Sequence, residues 1–299
     1  GIVTDSACET TGALEVDKET GKITITDDVS DIVISKKLAD NAEAAKADAT
    51  FTLTLKTPST EKSAKSLETV KVLEGGVEKT AEQVTKTADT IVFTGTDTEF
   101  KGLPDGTYTL VEETSPNGYT VVSTITFTIE NGIVDKDSVT CETTGNQKVD
   151  KETGKITITD DVSDVLISKR LAGKTGDEAV AEATFTLTLD GTTKGAASLK
   201  NVKVYDHEDL EKGLDTEKTE DVTKTDNTIT FTGADTDLKG LPDGNYTLTE
   251  DAGPAGYQVV TEFTFEIVNG VITTREVTTT GGTVELSGGS IVVTDDVKP

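Results

Sequence analysis

Lysine, glutamate and aspartate recur at matched positions in the two halves of this 299-residue chain, and together they have the chemistry to form an amide bond. Lys36 follows Ile32 and Ile34 at the two-residue spacing that puts alternate side chains on one face of a strand. Lys169 follows Val165 and Ile167 in the same way. At the neighbouring position Lys37 becomes Arg170, so the primary amine is retained only on the apolar face. Tyr108, Leu110 and Glu112 share a face, matched by Tyr246, Leu248 and Glu250, while the next residue drifts from Glu113 to Asp251. Ile156, Ile158 and Asp160 line up late in the first half, Ile291, Val293 and Asp295 in the second, and Ile23, Ile25 and Asp27 near the start.

A single charged residue on an apolar stripe usually marks a strand end reaching water, or an ordinary ion pair. Three of them, repeated twice at the same strand positions, point instead to a meeting inside the fold. An unpaired buried charge costs several kcal/mol, so Lys, Glu and Asp would have to face one another. Desolvation then favours the neutral amine and the protonated carboxyl. A neutral lysine is a nucleophile, a protonated aspartyl carboxyl is an electrophile, and the glutamate can relay protons between them. Water is lost and an amide remains. Such a protein consumes itself in one turnover and is not an enzyme in the usual sense.

The elements that must position these residues emerge from self-comparison. KITITDDVSDIVISKKL begins at Lys22, KITITDDVSDVLISKRL at Lys155, and a partial copy, IVVTDDV, at Ile291. Between them lie ATFTLTL at Ala49 and Ala183, KGLPDGTYTL at Lys101 against KGLPDGNYTL at Lys239, and GYTVVSTITFTIENG at Gly118 against GYQVVTEFTFEIVNG at Gly256. The period of about 135 residues suits a domain rather than a solenoid unit. Nearly every block alternates apolar and polar residues, and PDG and NG turns punctuate them, which predicts an all-β sandwich of two antiparallel sheets. Only short stretches, 39–47 and 61–67, read as helical. Residues 29–162 and 163–299 are expected to be complete repeats, and 1–28 the closing strands of a preceding one, with Asp27 as its acceptor. About three residues separate closing from opening strands, with no Gly- or Pro-rich linker, so the joint should be stiff.

Net charge is −27, with 28 Lys+Arg against 55 Asp+Glu, which argues against a nucleic-acid partner or an anionic membrane surface. No apolar run approaches the length of a membrane span. There is no Met, so the sequence reads as an excised or processed piece, and its Thr-rich polarity suits an extracellular protein. Cys8 and Cys141 sit in matching CETTG strings, a repeat apart, which disfavours a disulfide between them. The acidic pairs at 27–28, 160–161 and 295–296 are candidate Ca²⁺ ligands at the joints, but no D-x-[DN]-x-[DN]-G loop accompanies them, and no other cofactor is called for. His207, the only histidine, reads as a solvated loop residue, since one His makes neither a zinc site nor a triad.

The VISKKL and LISKRL strands, the ATFTLTL that follows, the KGLPDGxYTLxE box with its trailing PxGY, and the closing ITITDD or IVVTDD together resemble the CnaB-type (SpaA-like, prealbumin-like) domains of Gram-positive adhesins and pilins. The resemblance implies a seven-stranded immunoglobulin-like sandwich with an isopeptide bond between first and last strands, assisted by the Glu of the YTLxE box. Carried onto this sequence, the triads are Lys36–Glu112–Asp160 and Lys169–Glu250–Asp295, with Asp as acceptor where many members use Asn. The repeats carry extra sequence at about 56–90 and 190–226, and a YPKN-like motif and an LPxTG signal are absent. The expected function is a cell-wall-attached surface stalk, anchored through regions outside this chain and partnered by its own neighbouring repeats. The alternative is that the repeats themselves bind a host protein or glycan.

Overall fold

The computed structural model describes residues 13–16, 20, 22–26, 30–39, 49–58, 66–121, 124–141, 146–149 and 155–299. Two sandwiches follow one another along the chain, each made of two facing sheets. In the first, the opening strand Asp31–Leu38 lies between the closing strand Ile156–Asp160 and the strand Asp97–Lys101. Lys71–Glu74 and Val77–Glu78 extend that sheet on one side and Asn146–Val149 on the other. The facing sheet runs Ile133–Cys141, Ile125–Glu130, Gly106–Thr114, Ala49–Pro58, Thr90–Gly95 and Val84–Lys86. The second sandwich repeats the plan, with Asp164–Leu171 as opening strand, Ser290–Asp295 as closing strand and Gly244–Ala252 in the place of Gly106–Thr114.

Alternation builds both sheets. Along Ala183–Thr192, Phe185, Leu187 and Leu189 point inward while the threonines between them stay half-exposed. Each buried aliphatic or aromatic side chain contributes about 1.5–3 kcal/mol by leaving water. With no Trp or Met, the few aromatic residues pack pairwise: Phe51 stacks on Phe93 at 5.3 Å, Phe93 meets Phe100 edge-on at 4.9 Å, and Tyr108 stacks on Phe127 at 5.5 Å. Tyr246 and Phe265 repeat the last pair at 5.4 Å. The PDGxY box has a local reason: the hydroxyls of Tyr108 and Tyr246 donate to the carbonyls of Pro104 and Pro242 at 2.7 and 2.6 Å, so each buried phenol is satisfied.

The NG turns are two-residue hairpins with positive φ at both positions, 52° and 76° at Asn131 and Gly132, and 52° and 74° at Asn269 and Gly270. That backbone matches strand twist and explains the Asn-Gly choice. The carboxylates of Asp105 and Asp243 accept the amides of these turns.

The structure differs from the sequence reading in three respects. The opening and closing strands run parallel within otherwise antiparallel sheets, in register Lys36↔Ile158 and Lys169↔Val293. The sandwiches hold more than seven strands: the 56–90 and 190–226 stretches contribute short edge strands such as Val84–Lys86 and Lys203–Asp206, and Asn146–Val149 and Gly282–Leu286 add a strand beside each closing strand. The two stretches read as helical, 39–47 and 61–67, lie largely outside the described residues; Leu67, at the end of the second, opens a single 3-10 turn, Leu67–Thr69. His207 is not a solvated loop residue: it opens the short helix His207–Glu211, and its Nδ1 lies 2.8 Å from Asp237 Oδ2. Burial opposes its protonation, but that carboxylate outweighs burial and raises the imidazole pKa.

Near the start, Ala13–Val16 pairs antiparallel with Ile23–Thr26, as Asn146–Val149 does with Ile156–Asp160 and Gly282–Leu286 with Ser290–Asp295. Asp27 and Cys8 lie outside the described residues. Cys141 ends its strand partly buried against the first core.

Candidate functional site

Both lysine sites are built the same way, one group from each of three strands. Lys36 pairs in register with Ile158, and Asp160 lies two residues further along the parallel closing strand. Two residues is one strand period, so the lysine and the aspartate are diagonal neighbours on the inward face. The parallel register gives Lys169 and Asp295 the same relation through Val293. Glutamate arrives from the facing sheet: Glu112 is paired with Phe51 and Glu250 with Phe185.

The side chains meet. Lys36 Nζ contacts Asp160 Oδ1 and lies 3.0 and 3.2 Å from the two oxygens of Glu112. Lys169 Nζ contacts Asp295 Oδ1 and lies 2.9 and 3.0 Å from those of Glu250. The lysine and aspartate side chains are at 0% exposure and the glutamates at 1%. Each site thus holds one amine and two carboxyl groups in a dry interior. Their neighbours Lys37 and Arg170 are half-exposed, and Arg170 reaches out to Asp235 at 2.8 Å. Asp161 and Asp296, the second members of the acidic pairs, lie outside the core. Among the described residues no group of three or more His, Cys, Asp or Glu is placed to hold a metal ion.

Electrostatics follow from burial. Desolvation pushes Glu112 up to about 8; Lys36 opposes this and Asp160 reinforces it. Glu250 is pushed up to about 7 by the same burial, against Lys169 and with Asp295. The amide of Val260 also donates to Glu250 Oε2 at 3.2 Å. Two carboxyls and one lysine cannot all be charged without an uncompensated buried charge, so one carboxyl keeps its proton near neutrality. A glutamate poised near neutral pH is matched to moving a proton in either direction.

Sequence reasoning missed some of the surroundings. Thr98 and Thr236 are buried at 1% in the strands beside the two opening strands, and their matched DT dipeptides are the one signal that marked them. Ser35 and Ser168 donate to Asp97 and Asp235, each at 2.5 Å, tying the opening strand to that neighbour beside the lysine.

A family model for the SpaA prealbumin-like fold domain matches the sequence twice, over residues 30–148 and 163–281. The chain belongs to this family. Both matches stop short of Asp160 and Asp295, which the structure nevertheless places in the sheet of each SpaA repeat. Similar solved structures include the major pilin (T-13) of Streptococcus pyogenes, at 18% identity and TM-score 0.33, covering 91% of this chain and 97% of that one. Another is a C-terminal fragment of the pilus adhesin SpaC of Lactobacillus rhamnosus GG, at 16% identity and TM-score 0.32, covering 91% and 97%. The SpaC adhesin in its open conformation matches at 17% identity and TM-score 0.32 over 96% of this chain, which spans about a third (34%) of that chain's length. A search of curated proteins returned no match.

Proposed function

We propose that these SpaA repeats are structural modules of a bacterial surface adhesin or pilus, each locked by a self-formed isopeptide bond, Lys36–Asp160 in the first and Lys169–Asp295 in the second. The observation that carries this reading is the enclosure of each lysine amine, at 0% exposure, against one aspartate and one glutamate, twice in one chain. A plain buried ion pair needs one carboxylate, and a second one is a cost unless it does something.

In the proposed step the neutral lysine Nζ attacks the carboxyl carbon of the aspartate. Glu112 or Glu250 takes a proton from the nitrogen and gives one to the departing hydroxyl, which leaves as water. The C–N bond forms as the C–O bond breaks, no oxidant or cofactor is needed, and the glutamate ends as it began. Glu112 and Glu250 are the relays; Asp27 would be the acceptor for a lysine of a preceding repeat. The module would stand outside the cell, joined to neighbouring repeats of its own polypeptide and to the wall through other regions.

Intact mass tests the proposal. The purified chain should be two waters lighter than its sequence, and fragmentation should place the links at the two lysine–aspartate pairs. A mass equal to the sequence would overturn it.

A further inference from the structure

Lys194 sits on the loop after Ala183–Thr192, where no alternation or motif distinguishes it, yet it lies at the contact between the repeats. Its ammonium has three N–H donors, and three acceptors meet them: Ser115 O of the first repeat at 2.8 Å, and Asn269 Oδ1 and Asp243 Oδ2 of the second at 2.9 and 2.6 Å. Asp243 is fully buried, so this pair is poorly screened by salt. The backbone carbonyl of Lys194 accepts from Asn117 Nδ2 at 2.6 Å, and Asn117 Oδ1 accepts from the amide of Asp243 at 3.3 Å. One lysine and one asparagine therefore bind the 115–119 loop to the pole of the next repeat from both sides.

Backbone shape completes the fit. Gly118 packs on Gly240 so closely that a Cβ there would come within 3.0 Å of the Gly240 carbonyl; one on Gly270 would come within 2.5 Å of that of Tyr119. Ser163 donates its amide to Gly118 O at 2.8 Å and its hydroxyl to Leu241 O at 3.1 Å, so the connecting residues are tied to both sides.

We propose that each repeat carries an acceptor pole for the Pro–x–Gly–Tyr loop of the repeat before it, and that Lys194 is the key that makes the two repeats one rigid body. The first repeat has the same pole: Gly102 donates to Ser30 O at 3.0 Å, Ser30 Oγ donates to Leu103 O at 2.9 Å, and Asp105 holds the Asn131–Gly132 turn. There Gly102 and Asn131 are exposed, whereas Gly240 and Asn269 are partly covered and Gly270 is buried. The pole is thus a property of the repeat, shaped for a loop from another repeat of this kind. The inference is independent of the isopeptide reading.

Residual dipolar couplings measured on the whole chain test it. Couplings from both repeats of the wild type should fit a single alignment tensor, and Lys194→Met should require two. The amide spectrum reports whether each repeat of the variant stays folded. A wild type that already needs two tensors would overturn the rigid joint; a folded Lys194→Met chain that still fits one would overturn the role of Lys194.

Discussion

Replacing Asp295 with alanine should open the lock of the second repeat and leave that of the first intact. The variant is chosen because it removes the acceptor without stranding a charge: Lys169 and Glu250 remain paired at 2.9 and 3.0 Å, one positive and one negative. The lost constraint is large, since the 169–295 link encloses nearly the whole repeat. Closing a loop of that order stabilises by about 5 kcal/mol through the entropy removed from the unfolded chain. The vacated space at a fully buried position adds about 1 kcal/mol. At roughly 4 °C per kcal/mol for a domain of this size, the unfolding transition of the second repeat should fall by about 20 °C. Calorimetry should show the first repeat's transition unmoved, and intact mass should show one water lost instead of two. If the mass reports an open second repeat but its transition moves by less than about 5 °C, the chain-entropy argument is wrong. If two waters are still lost, Asp295 is not the acceptor.

Two further outcomes follow from the site. Glu112→Gln keeps the shape of the relay but cannot exchange a proton, so closure of the first repeat should slow by about 10²–10⁴-fold while the second closes normally, as time-resolved mass after refolding would show; equal rates would remove the relay role. Lys36→Met leaves Glu112 and Asp160 facing each other without a cation, and Glu112, already at about 8 with the lysine present, moves higher. A carboxyl whose pKa is raised by folding stabilises fully below its unfolded pKa of about 4.3, and that contribution is lost as pH rises toward the folded value. The melting temperature of the first repeat should therefore fall from about pH 5 to about pH 8 more steeply than in the wild type, and parallel profiles would contradict the burial argument.

The site residues were legible because two weak signals coincide. Period-two alternation places Lys36, Glu112 and Asp160 inward, and the second copy shows which neighbours are free to drift, Lys37 to Arg170 and Glu113 to Asp251. Strand direction was not legible, because alternation reads the same in a parallel or an antiparallel ladder, so the pairing of Asp31–Leu38 with Ile156–Asp160 had to come from the structure. The added strand Val77–Glu78 is exposed and too short to display a period. Asp237 is the same case from another side: it is 4% exposed, and its partner His207 lies thirty residues away along the chain. Lys194 lies in a loop, where residue type is set by what docks there and not by any local pattern.

The parallel pairing has a mechanical consequence that the antiparallel alternative would not. Parallel first and last strands place the beginning of the one and the end of the other at opposite poles, so the chain enters a repeat at Asp31 and leaves at Asp160 on the far side. Pulling the ends then shears the ladder between the two strands along its length. With Lys36 joined to Asp160, tension passes along 31–36, across the amide, through residues 161–163 and into the next opening strand at Asp164. The rest of each sandwich lies outside that path, and the residues between Asp160 and Lys169 are those tied to both repeats through Ser163. A sheared ladder holds only as long as its weak hydrogen bonds together bear the load, whereas this route would have only covalent bonds in series. An amide formed between these two strands would therefore be of most use there, next to the joint in the sequence.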